Sequence, residues 1–164
     1  MKTYRPAREL LSEIELLLKK NRPSFHESPL DEVVELLCAG RHYAWMGIYL
    51  AVGKKNELLS KAADPHAVKT ALAGSQSKVL ISIKVGQHEF GFIEVESERE
   101  NAFGSEDRVL LEKVADILAR FLAGRGKYLM RKARTSAAAV SAQPQARAPQ
   151  SQPKTVRSAA VGEK

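Results

Sequence analysis

The chain of 164 residues contains one cysteine, Cys38. A lone thiol excludes an intramolecular disulfide and any multi-cysteine metal site. The four histidines, His26, His42, His66 and His88, show no H-x-H or i,i+4 spacing and have no cysteine companions. Neither a metal nor a haem is expected, and no other cofactor is implied. No apolar run approaches the roughly 20 residues that cross a bilayer. The opening Met-Lys-Thr-Tyr-Arg-Pro lacks the apolar core of a secretory signal, so a cytoplasmic location without a membrane span is expected. A P-loop, a G-x-G-x-x-G turn and a Ser/His/Asp arrangement are all missing. Acids are scarce at one end only. Residues 125–164 carry nine Lys or Arg against the single acid Glu163, while residues 1–124 carry 17 basic and 18 acidic groups. The net charge of +7 therefore belongs to the C-terminal stretch, and the remainder is nearly neutral.

What is present suits one domain with a proper core. Leu10, Leu11, Ile14, Leu17 and Leu18 recur at helical spacing and predict a first amphipathic helix over 6–21, with Leu16 broadening its apolar stripe. Ser28-Pro29-Leu30-Asp31 is a helix start: a cap, a proline at the first helical position and an acid three residues after the cap. Val33, Val34, Leu37 and Cys38 form the buried stripe that follows, and Gly40 ends it. Tyr43–Val52 reads as a strand, Gly53–Asn56 as a turn, and Glu57–Ala62 as a short strand. Between Asp64 and Ser77 one helical turn is expected near His66–Leu72. A second hairpin joins Lys78–Val85 to His88–Ser97 through Val85-Gly86-Gln87. Ser105 is then expected to cap a long helix with Leu110, Leu111, Val114, Ile117, Leu118, Phe121 and Leu122 on its apolar side. Gly124 and Gly126 weaken that helix, leaving 125–132 as an extension. Residues 133–164 are rich in Ala, Ser, Gln and Pro and are expected to be disordered. The order of elements implies an α+β fold, with N- and C-terminal helices on one face of an antiparallel sheet.

The other sheet face carries the chemistry. Side chains alternate along a strand, so Glu94 and Glu96 share a face while Ile93 and Val95 point to the core. Trp45 and Tyr49 lie on the corresponding face of the first strand. Two neighbouring carboxylates repel, so this face either meets water or holds something cationic.

These segments resemble a known family. Trp45-Met-Gly-Ile-Tyr-Leu50, the hairpin Ser77–Gly86, Gly91-Phe-Ile-Glu-Val-Glu-Ser97 and Ala102-Phe-Gly-Ser-Glu-Asp107 with Leu110-Leu111 follow the pattern of a GAF domain over about residues 10–124. The resemblance implies an α/β/α sandwich that senses small molecules or dimerises. Within the family the chain is similar to the free methionine-(R)-sulfoxide reductases. That similarity implies ligand-binding positions at Trp45, Tyr49, Glu94 and Glu96, with aromatics around the sulfoxide and acids on the ammonium. The family uses Asp at the two acidic positions. Its third acid is replaced here by Lys78 and its proline by Ser82. Its catalytic cysteines are missing, and the excursion that bears them has shrunk to Ala62–Ser77.

The reading that follows is a non-catalytic GAF-type sensory or protein-interaction module, a degenerate enzyme whose expected origin is the free methionine sulfoxide reductase branch. Its site, Trp45, Tyr49, Lys78, Glu94 and Glu96, would be vestigial, with Lys78 occupying the place of a ligand ammonium. The alternative is a working reductase, or another small-molecule binder with an open site. A homodimer or a partner protein is expected through the terminal helices. The basic tail is read as a solubilising or tethering segment in preference to a contact for nucleic acid or an anionic surface.

Overall fold

A computed structural model describes residues 4–24, 27–64 and 77–141. Helix α1 spans Ala7–Lys20 and buries Leu10, Ile14 and Leu18, which recur every fourth position. Its start has no side-chain cap. Arg5 ties that end instead, donating to Glu13 at 2.6 Å, while the Arg5 backbone N–H donates to the Gly40 carbonyl at 2.9 Å. Helix α2 (Pro29–Gly40) begins as expected, with Pro29 in its first turn and Ser28 Oγ accepting from the Leu30 N–H at 3.3 Å.

The sheet contains β1 (Trp45–Val52), β2 (Lys55–Ala63), β3 (Ser77–Val85) and β4 (His88–Ser97). All pairings are antiparallel, in the order β2-β1-β4-β3. Gly53 and Gly86, at φ +63° and +59°, supply the left-handed backbone that the two hairpin turns need. The first turn is tighter than expected: Gly53-Lys54 alone makes it, and pairing resumes at Lys55 opposite Val52 instead of at Glu57.

Helix α3 (Ser105–Ala123) packs on β3 and β4, α2 packs on β2 and β1, and α1 lies against α2 and α3. Met46, Ile48 and Leu50 of β1, Ile93 and Val95 of β4, and Val79 and Ile83 of β3 meet these helices in one buried cluster. Burying each large aliphatic side chain there contributes about 1.5–3 kcal/mol.

Two expectations about the last third of the chain are corrected. Gly104, not Ser105, stands at the N-cap of α3, and no side chain caps it. The chain also stays helical beyond 132, as α4 (Lys127–Ser141). Gly124 and Gly126 do not fray α3; they make the corner between two helices. The Gly126 N–H donates to the Phe121 carbonyl at 2.7 Å, and the Phe121 ring lies where a side chain at 126 would stand. After this corner Leu129, Met130 and Ala133 are buried, and α4 contacts β1 and β2. Burial anchors the first turns of α4, while residues 134–139 are mostly exposed and continue the helix on the high propensity of Ala and Arg. The rest of the tail, 142–164, and the turn expected near His66–Leu72 lie outside the described residues.

Candidate functional site

On the sheet face opposite that cluster, cross-strand pairing sets the site. Trp45 pairs with Glu96 and Glu96 with Lys78; Gly47 pairs with Glu94 and Glu94 with Leu80; Tyr49 pairs with Phe92 and Phe92 with Ser82. All five residues expected at the site are therefore neighbours on three adjacent strands. The structure also places each of them in an occupied arrangement.

Glu94 and Glu96 are 6% and 2% exposed, so the outer face is not open to water at these positions. The Lys78 ammonium contacts Glu94 Oε1 directly and lies 3.8 Å from Glu96 Oε1. The hydrogen bond to Glu94 raises the Lys78 pKa; desolvation opposes the shift, and the charges of both glutamates add to it. One cation thus faces two buried carboxylates, and Glu96 Oε1 has no hydrogen-bond partner among the described residues. Burying such a group is unfavourable unless charge compensates it, which Lys78 does in part.

The aromatics are packed against their own sheet. A Cβ at Gly47 would collide with Cη2 of Trp45 and reach 3.0 Å from Leu58 Cδ1, so the indole occupies the space above the glycine. Tyr49 stacks on Phe92 with ring centroids 4.7 Å apart and planes 12° from parallel. Burial is the main cause that raises the Tyr49 hydroxyl pKa, with the nearby Glu94 charge adding to it. Leu58 and Leu80 remain exposed at the margins of this face.

Cys38 is on the other side of the sheet. It is buried in the helix-covered cluster, with Sγ 3.7 Å from the Ala62 carbonyl. Among the described residues no group of three or more His, Cys, Asp or Glu is placed to hold a metal ion.

A second polar cluster escaped the sequence reading. Arg41 has a fully buried side chain; it donates to Glu106 at 3.1 Å and lies 3.7 Å from Asp107. The Tyr43 hydroxyl donates to Asp107 at 3.0 Å, and Phe103 packs 5.8 Å from the Tyr43 ring. Tyr4 covers the Arg41 guanidinium at 4.2 Å. Burial, then the charge and hydrogen bond of Asp107, push the Tyr43 pKa strongly upward. This cluster gives a physical meaning to Ala102-Phe-Gly-Ser-Glu-Asp107: the block locks the start of α3 onto the α2–β1 connection. Its sequence signal was a pair of acids opening a helix, with no indication of which cation they would meet.

No family model matches the chain, and no curated protein matches it. Solved structures do. A free methionine-R-sulfoxide reductase from Neisseria meningitidis, in complex with its substrate, superimposes with a TM-score of 0.61 at 16% identity over 84% of this chain and 99% of that one. The GAF domain of an Acinetobacter phosphoenolpyruvate-protein phosphotransferase gives 0.58 at 14% identity, over 74% and 96% of the two chains. The GAF domain of a sensor histidine kinase from Pseudomonas syringae pv. tomato gives 0.56 at 18% identity, over 77% and 91%. At these identities the similarity establishes the fold: an α+β GAF fold, with both enzymes and sensor domains among its structural neighbours.

Proposed function

We propose that this chain is a non-catalytic GAF-type sensory and interaction module, in which a vestigial small-molecule seat is filled from within by Lys78. The observation that carries the reading is the contact of the Lys78 ammonium with the buried pair Glu94 and Glu96. In a reductase-like site those acids would receive the ammonium of a free amino acid. Here a side chain of the same charge supplies it. Trp45 and Tyr49 support the same reading, because they lie against Gly47 and Phe92 and leave little of an aromatic cage.

Sulfoxide reduction by thiols needs one thiol to attack the sulfur and a second to resolve the sulfenic acid. The single Cys38 is buried on the helix side of the sheet, away from the two glutamates. With free methionine-(R)-sulfoxide and a dithiol reductant, the expected result is no turnover. Turnover that disappears in Cys38→Ser would overturn the non-catalytic reading. The substrate-bound reductase among the structural neighbours is the observation that keeps a second reading, a reductase or an open-site binder, within reach of this assay.

The interaction half of the proposal is pairing with a second copy through α1 and α3. These helices border a groove of about 580 Å³ that includes Leu11, Val109 and Leu110, with Arg8 and Glu15 on its α1 side. Val109 is 48% exposed. Arg8, Leu11, Ser12 and Glu15 share one helical face. Two copies of α1, antiparallel about the point between Leu11 and Ser12, set each Arg8 against the partner's Glu15. The surface is therefore complementary to itself, as a two-fold interface requires.

A further inference from the structure

A different surface carries a further inference, independent of the Lys78 site. The chain has no acidic residue between Asp116 and Glu163. Folding brings the helical part of that segment against the end of α1, which is also basic. The Arg125 guanidinium donates to the Lys19 carbonyl at 2.6 Å, and Asn21 Nδ2 donates to the Tyr128 hydroxyl at 2.8 Å. Lys19, Lys20 and Arg22 are thereby assembled with Arg125, Arg131 and Lys132 at one end of the molecule, all of them exposed. The acids nearby are Glu27 of the α1–α2 connection and Glu13 and Glu32, which border a groove with Lys20; Glu13 is already paired with Arg5, and the cations remain in excess.

Within this patch lies a pocket of about 440 Å³ bordered by Pro23, Ser24, Tyr128, Arg131, Lys132 and Thr135. Its floor is the half-buried Tyr128, and its rim carries two cations and three hydroxyl side chains, Ser136 included. An apolar hollow ringed by positive charge fits a bulky apolar side chain flanked by carboxylates. It does not fit the chain's own segment 142–164, which is itself basic and offers neither acids nor aromatics until Glu163. Nor does it fit base stacking, since among the described residues Tyr128 is the one aromatic ring in the patch and its hydroxyl is already engaged by Asn21.

We infer that the α1 end and α4 form a docking site for an acidic segment of a partner protein, anchored by one apolar side chain in the pocket beside Tyr128. Charge supplies the attraction and orientation, and the anchor supplies the specificity.

The test uses the full chain and a labelled synthetic peptide in which one Phe is flanked by runs of Asp and Glu, followed by fluorescence anisotropy at low and high salt. The docking site predicts binding that weakens about tenfold or more in R131E/K132E, and similarly when salt screens the patch. It predicts a comparable loss in Thr135→Trp, which fills the pocket at an exposed position without altering charge, and in a peptide whose Phe is replaced by Ser. Removal of 142–164 is predicted to leave binding within about twofold. The proposal is overturned if the peptide does not bind, if binding ignores the Phe or Thr135→Trp, or if it vanishes with 142–164. It is equally overturned if duplex DNA or anionic phosphatidylserine vesicles bind more tightly than the peptide.

Discussion

The six-membered ring of the Trp45 indole occupies the space above Gly47. The glycine is what lets the ring lie down on the sheet. Gly47→Ala is therefore expected to tilt the indole away from Leu58 and shift its emission to the red, with a stability loss of about 1 kcal/mol. Trp45 is the chain's one tryptophan, so the spectrum reports this site alone. Gly91→Ala serves as a contrast. There a Cβ would collide with the Tyr49 carbonyl oxygen and come 2.9 Å from the Leu50 Cα, and backbone cannot swing aside. Its expected loss is at least about 2 kcal/mol, read by denaturant unfolding.

Stability should fall in alkali. The Tyr43 pKa is raised in the folded state by burial and then by Asp107, so the fold retains a proton that the unfolded chain releases near 10.0. Above that pH the unfolded state binds fewer protons, and stability decreases as pH rises. Below it the contribution of the protonated hydroxyl is complete. Lys78, whose pKa is raised chiefly by its bond to Glu94, acts with the same sign from its usual 10.5 upward. Unfolding free energy followed from pH 8 to about 11 should drop less in Tyr43→Phe than in the native chain. In neutral solution that variant should lose about 1.5–3 kcal/mol with its hydrogen bond to a charged partner.

The pairing of two copies through α1 makes a charge-swap prediction. Arg8→Glu places like charges against the partner's Glu15 and should shift sedimentation from dimer to monomer. Adding Glu15→Arg restores opposite charges across the two-fold and should restore the dimer. A monomeric native chain would contradict the interface.

The fourth helix is testable by truncation. A chain ending at Ser141 should unfold at nearly the same temperature as the full chain. Ending it at Gly126 removes Leu129, Met130 and Ala133 from the core and should cost about 4 kcal/mol. Equal melting temperatures for the two truncations would show that α4 adds nothing to the fold.

Much of this architecture was legible in the sequence because it rests on local periodicity. The alternation in Phe92-Ile-Glu-Val-Glu96 sorted the glutamates from the core residues, and β4 occupies the predicted His88–Ser97. Lys78 was legible as a counter-ion because it stands beside the retained acids where the resembled family has a third acid; its pairing with Glu96 depends on a register shift between Ile83 and Lys84 that the turn alone does not reveal. The Arg41–Asp107 cluster was not, since its members are 66 positions apart and nothing local selects one cation among many. The part of α4 beyond 132 was missed for a different reason. The first turns pack on β1 and β2, but residues 134–139 are mostly exposed and rest on the helix propensity of Ala and Arg, which the Pro-, Gln- and Ser-rich composition of the following stretch obscured. Ser105 failed as a cap because an oxygen-bearing residue before a helix permits capping without compelling it.

The most direct measurement concerns whether Lys78 fills the cation seat. Free methionine sulfoxide, a small primary ammonium, is titrated calorimetrically into the native chain, Lys78→Ala, and Lys78→Ala combined with Glu94→Gln and Glu96→Gln. A lysine-filled seat gives no heat of binding for the native chain, measurable binding once the lysine is removed, and loss of that binding when both carboxylates are neutralised. Binding by the native chain at least as tight as by Lys78→Ala would contradict it.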